Sequence, residues 1–287
     1  MTTRDLTHYL ENLHATGALD VSQRPEYRDA LRAYKSHALA NYDRKPTRYL
    51  SAPSDNAKLR KGNGRPIFGL ALAPADRSGA WNVCRWSTAG CRASCLGHSA
   101  GKYGINTPKS PRVATEARTT FLGANPSAAL ALITGEIDRA VAKYGEIAVR
   151  LNVLSDLRWE SFAPDMFTRY GDAVQFYDYT KAPARNRGNL GNYALTGSIT
   201  ERDSASDVIA KLDDYGSAAV VFDTKRGRDL PAVFLGFPVL DGDANDRRYS
   251  DAGIIGLRAK GAAIRDRTGF VRSGITEREL AAVIASH

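Results

Sequence analysis

All three cysteines of the chain fall in one short segment, Cys84-Arg-Trp-Ser-Thr-Ala-Gly-Cys91-Arg-Ala-Ser-Cys95. Thiolates are soft ligands, suited to zinc or to an iron–sulfur cluster. An odd number of cysteines suits a disulfide framework poorly. Three readings of the segment stay open. A [4Fe–4S] cluster on three cysteines leaves one iron without a protein ligand, open to a small molecule. A closed zinc site would add His98, three positions after Cys95, as a fourth ligand. Buried thiols with no metal are the plainest alternative.

A second set of polar residues follows the apolar runs of the chain. Asn152, Ser155 and Asp156 come after one run, and Asp178 and Lys181 sit in and beyond another, Tyr177-Asp-Tyr-Thr-Lys181. Ser198 closes a third, and Lys225 and Lys260 follow two more. Asp178, Lys181 and Lys260 are candidate catalytic groups, as acids, bases or anion contacts. Asn152, Ser155, Asp156 and Ser198 are candidate cofactor contacts. Gly253 and Gly256 join them, because glycine in a strand lets a ligand approach the backbone. Asp156, Asp178, Asp223, Asp241, Asp243 and Asp246 could also converge on a hard divalent metal, as in a nuclease. Taken singly, each aspartate suits a turn or helix cap better than a metal site. The histidines offer no nucleophile triad, and no phosphate-binding glycine loop opens a helix after a strand.

The elements that must position these groups can be read from periodicity. The runs 67–73, 147–153, 173–178, 193–199, 218–222 and 253–257 read as six principal strands, with a hairpin at 232–240. Helical spacing covers 26–41, 109–121, 126–144, 159–169, 204–214 and 276–286. Residues 1–65 read as an N-terminal helical region and linker, with prolines and glycines crowding 44–66. Residues 66–287 read as an α/β domain carrying the cysteine loop. Apolar strands separated by helices imply a mostly parallel sheet, with the site at the strand ends. The expected fold is a partial (β/α)6-type barrel with an N-terminal helical extension; a doubly wound sheet is the alternative.

Composition bounds the rest. A hydrophobic share of 43% with 25% charged residues is that of a soluble globular chain. No apolar run is long enough to span a bilayer, so no membrane partner is expected. The opening Met-Thr-Thr-Arg-Asp-Leu-Thr has no apolar signal core, and a cytoplasmic location is expected. The net charge of +9 and pI near 9.5 make a nucleic acid or nucleotide a plausible partner. The same excess serves solubility equally well.

Two resemblances rest on these residues. A three-cysteine loop after the first strand of a parallel series resembles the organisation of radical SAM enzymes. That resemblance implies a [4Fe–4S] cluster on Cys84, Cys91 and Cys95, S-adenosylmethionine as cofactor and an external electron donor. The spacing here, C-x6-C-x3-C, departs from their usual C-x3-C-x2-C. Asn152, Ser155 and Asp156 stand where those enzymes hold the methionine amine. The order of motifs also resembles a family of bacteriophage proteins known as gene product 88. The matching segments are the cysteine loop, Arg118-Thr-Thr-Phe121, Val149 to Asp156 with Trp159-Glu160, Phe176 to Lys181, and Asp241-Gly-Asp243 leading to Gly256-Leu-Arg-Ala-Lys260. This second resemblance implies a phage origin and a host-cytoplasm location, and no activity. The expected function is a radical-SAM-like iron–sulfur enzyme acting on a nucleotide or nucleic acid. The alternative is a nucleic-acid-binding protein or divalent-metal nuclease with a structural Cys3His zinc site.

Overall fold

Strand order carries the architecture. The computed structural model describes residues 24–55, 64–97, 107–184, 190–246 and 248–274. Its strands are β1 Ile67–Gly69, β2 Ile147–Arg150, β3 Val174–Thr180, β4 Tyr193–Ser198, β5 Ser217–Phe222, β6 Val233–Phe234, β7 Phe237–Asp241, β8 Gly253–Arg258 and β9 Val271–Arg272. The helices are α1 Pro25–Tyr42, α2 Ala89–Ala93, α3 Pro111–Ala124, α4 Pro126–Tyr144, α5 Trp159–Phe162, α6 Pro164–Thr168 and α7 Ala205–Tyr215. The strands form one nine-stranded sheet in the order β1-β2-β3-β4-β5-β8-β7-β6, with β9 also paired to β5. All pairs are parallel except the β6–β7 hairpin.

The first five strands lie side by side in chain order, as in a barrel wound in one direction. A doubly wound sheet would reverse its order at an internal strand. The path is open, with β1 at one edge and β6 at the other. The fold is α/β with a mostly parallel sheet and an N-terminal helix, as expected.

Alternation along each strand separates two faces. Ile147 and Val149, Val174 and Phe176, and Tyr193 belong to the main core with α1, α3 and α4. Ala218, Val220, Phe222 and Ile254 pack with Val208 and Leu212 of α7. The other parity (Ala148, Arg150, Tyr177, Tyr179, Ser198, Ala219, Val221 and Leu257) faces away from the helices. Helices therefore cover one face, and the second face is left for the site.

Local signals set the ends of these elements. Ser110 caps α3 by accepting from the Val113 amide, and Pro111 follows it. Ser204 and Asp207 form a capping box on α7, which Gly216 ends at φ 72°. α4 runs from Pro126 to Tyr144 as its periodicity predicts, and Gly145 ends it. The helix expected over 159–169 is instead two short helices, because Pro164 interrupts it.

Residues 44–55, read from composition as part of a linker, are tied to the core. Tyr49 and Leu50 are fully buried, and their amides donate to the buried Glu136 carboxylate at 2.7 and 2.8 Å. Ser51 bridges to Gly69 at the β1 edge. The expected helix at 276–286, the basic run 58–61, Arg247 and His98 lie outside the described residues.

Candidate functional site

A cavity of about 250 Å³ opens at the carboxyl ends of the parallel strands. Cys84, Cys91 and Cys95 all line it, together with Asn152, Ser155, Asp156, Lys181 and Ser198. These eight residues share one rim, Lys181 among them, whereas Lys225 and Lys260 are not part of its lining.

The cysteine segment is built by unusual backbone. Ala75, just before it, adopts φ 52° although it is not glycine. Such conformations store about 1 kcal/mol or more and persist only where the surroundings enforce them. Here Ala75 is buried, its carbonyl accepts from the Val83 amide at 3.0 Å, and its amide points at Cys84 Sγ at 3.3 Å. Burial pushes the Cys84 thiol up to about 12, against the lowering effect of the Ala75 amide and Lys181. Thr88 then caps α2, its hydroxyl accepting from the Cys91 amide at 3.2 Å. Gly97 donates to Cys95 Sγ at 3.4 Å.

Two distant carboxylates hold α2 in place. Glu201, just after β4, accepts from the Thr88 hydroxyl at 2.6 Å and the Gly90 amide at 2.8 Å. Asp266 accepts from Ser94 at 3.3 Å and from Val271 at 3.0 Å, linking α2 to β9. No local motif signalled either residue.

Lys181 is the electrostatic centre. Burial opposes its charge, yet the facing Cys91, Asp156, Cys84 and Cys95 raise its pKa above the ordinary lysine value. Asp156 ties neighbouring loops together, accepting from the Lys181 amide at 2.8 Å and donating its own amide to Val83 at 2.9 Å. Arg150 lines the same cavity, 4.6 Å from the Tyr179 ring and 3.4 Å from Asp246. A charged residue inside an apolar strand was the available signal for it.

Other expected groups lie elsewhere. Asp178 shares the parity of Val174 and Phe176, so it faces the helices and is fully buried. It accepts from the Asn152 amide at 2.7 Å and the Tyr193 hydroxyl at 2.9 Å, a positioning role. Asn152 lines the cavity, but its Oδ1 already accepts from Ser155, Leu157 and Trp159. Lys260 pairs with Asp243 outside the cavity lining. Gly256 turns to the α7 side, where an added Cβ would lie 2.5 Å from Val239. Gly253 begins β8 at φ 90° and serves its turn. Trp81 donates to the Thr119 carbonyl at 3.1 Å and does not line the cavity.

Among the described residues, no three histidine, cysteine, aspartate or glutamate side chains form a group able to hold a metal ion. The converging carboxylates of a nuclease are thus not found there. Asp241 and Asp243 pair with Arg258 and Lys260, while Asp246 pairs with Arg150 and Tyr177. A cubane cluster asks for a different layout from a single ion, because each thiolate binds a separate iron and the sulfurs stand apart. Here the three cysteines line one cavity and Lys181 faces them.

No described helix is long and apolar enough to cross a membrane. Neither the curated proteins nor the solved structures gave a match to this chain. A family model described as Gene product 88 matches residues 39–274, which takes in β1 to β9, the cysteine segment and every residue of the cavity. By that match the chain belongs to the Gene product 88 family.

Proposed function

We propose that the protein is an iron–sulfur enzyme of radical-SAM-like type, acting in the host cytoplasm on a nucleotide or nucleic acid. The observation that carries this reading is the shared cavity of Cys84, Cys91, Cys95 and Lys181 at the ends of parallel strands in chain order. Cys84, Cys91 and Cys95 would hold a [4Fe–4S] cluster. Ser198 and Asp156 offer polar contacts to S-adenosylmethionine, and Ile199, Val221, Leu257 and Phe270 an apolar wall. The chemistry such a pair supplies when bound is one-electron cleavage of a sulfonium, fed by an external donor.

The chain's own residues prepare for that load. Lys181 would offset the negative charge of a cluster held on the three cysteines. The Ala75 amide donates to the Cys84 sulfur, and Glu201 and Asp266 fix the helix bearing Cys91. The net charge of +9 supports a polyanionic substrate.

Anaerobic purification, reconstitution with iron and sulfide, and metal analysis test the reading. The expected result is about four irons per chain with absorbance near ~400 nm, lost when Cys84, Cys91 or Cys95 becomes alanine. Stoichiometric zinc with no iron uptake would overturn it in favour of a structural zinc site in a nucleic-acid-binding protein.

A further inference from the structure

We infer that a second cavity, between the end of α1 and the first turns of α3, binds a phosphate group. Its volume is about 290 Å³, and four cations line it: Arg44, Arg48, Lys109 and Arg118. Two features of the chain bring them together. Asp43 ends α1 in the left-handed conformation at φ 46°, which turns Arg44 across the start of α3. There the Arg44 Nη1 donates to the carbonyls of Pro108 at 3.1 Å and Ser110 at 3.4 Å. On α3 itself, Pro111, Thr115 and Arg118 fall at i, i+4 and i+7 and so share one face.

Among the described residues Asp55 is the one carboxylate lining the cavity, and Asp55 already pairs with Arg48 and accepts from the Ala52 amide. Glu136, which feels the Arg118 charge, uses its oxygens on the Tyr49 and Leu50 amides. Among the described residues Arg44, Lys109 and Arg118 make no ion pair. The Nε atoms of both Arg44 and Arg118 are buried without an acceptor in hydrogen-bond geometry, and the neutral, buried Tyr34 hydroxyl lies against Arg118. Buried guanidinium donors left unmatched are rare in native proteins and call for a partner. Arg44 is also held below its ordinary pKa, first by burial and then by the like charge of Arg118.

A tetrahedral oxyanion answers each of these observations. Guanidinium forks match phosphate geometry, and the positive end of the α3 dipole adds to the field. A chloride ion would supply charge without the several acceptor oxygens that two guanidinium groups can use. The source of the phosphate is either a nucleic-acid backbone or a small phosphorylated molecule. The site is separate from the cysteine cavity, and its test does not depend on how that cavity is loaded.

The test is thermal unfolding of the full chain with inorganic phosphate against chloride at equal ionic strength. Phosphate is expected to raise the melting temperature with the logarithm of its concentration. Arg44→Gln and Arg118→Gln should each weaken phosphate binding by about tenfold or more. Lys109→Gln changes an exposed side chain, so it gives a variant whose fold is not at risk, with a smaller loss. A fluorescent single-stranded oligonucleotide then identifies the source. Weaker binding with a shallower salt dependence in the variants assigns the site to a nucleic-acid backbone. Unchanged oligonucleotide binding beside lost phosphate binding assigns it to a small phosphate. Stabilisation by phosphate no greater than by chloride, or equal stabilisation in all three variants, would overturn the proposal.

Discussion

The carboxylate of Glu201 accepts the Gly90 amide at 2.8 Å, joining positions 111 residues apart in sequence. The end of β4 thereby holds the short helix that carries Cys91. At Gly90 an added Cβ would lie 2.6 Å from Glu201 Oε2 and 2.3 Å from Thr268 Oγ1. The contact is therefore possible because position 90 has no side chain.

Removing that carboxylate should loosen the cysteine segment more than the rest of the fold. Glu201→Ala is expected to lower stability by about 1–2 kcal/mol, the range for two hydrogen bonds to a partly exposed charge. Cys91 should alkylate faster, as read by mass spectrometry. Gly90→Ala displaces the same carboxylate, so the double variant should be little worse than either single one. Additive losses would show that the two residues act independently.

The same contact gives a pH dependence. Burial tends to raise the Glu201 pKa, but the Thr88 and Gly90 hydrogen bonds outweigh it and hold the value low. Asp266 behaves alike, with burial outweighed by the Val271 and Thr268 donors. A depressed carboxylate contributes stability that is present above its unfolded value, near ~4, and is lost as pH falls through the folded value. Urea midpoints should thus fall on acidification below about pH 4. Glu201→Gln should show a smaller drop than the wild-type chain over that window; parallel curves would refute the assignment.

Arg150 and Asp246 form a buried pair beneath the cavity, with Asp246 fully buried and also accepting from the Tyr177 hydroxyl at 2.9 Å. Arg150→Leu leaves a buried carboxylate without its cation and should cost about 3–5 kcal/mol. Arg150→Leu with Asp246→Leu should recover part of that loss. Chemical denaturation of the four proteins measures the coupling, and a coupling near zero would contradict the pairing.

Asp178→Asn tests position against chemistry. Asp178 lies on the helix-facing side and braces Asn152 and Tyr193. The variant should lose about 1–3 kcal/mol of stability through the Asn152 amide and Tyr193 contacts. Iron uptake per folded chain should stay at the wild-type level. A stable variant that cannot take up iron would place Asp178 in the site after all.

The fold was legible where local signals are strong. Pro126 and Gly145 bracket α4, and the apolar runs became parallel strands in the expected order. The cysteines, Asp156 and Lys181 met because residues just past parallel strands share one rim. The side that Asp178 faces could be read from its parity: it lies two residues after Phe176 and so faces the same side. Glu201 and Asp266 were invisible, since the groups they hold in the cysteine segment are separated from them by more than a hundred residues. Arg44 and Arg118 escaped for a related reason, being joined only by the left-handed turn at Asp43 and the way α1 docks.

The placement of β9 bears on the order of assembly. β4 pairs with β5 at Ala218 and Ala219, and β9 takes the next stretch of the same strand at Val221 and Phe222. Phe270, immediately before β9, is part of the cavity wall, and Asp266 anchors Ser94. During synthesis the cysteines emerge long before these residues. The ribosome must therefore release nearly all of the described chain before the pocket has its final wall. A cofactor can enter a finished site only after Phe270 and Asp266 have joined the sheet, and a chain cut short before Phe270 would keep its thiols but leave them unenclosed.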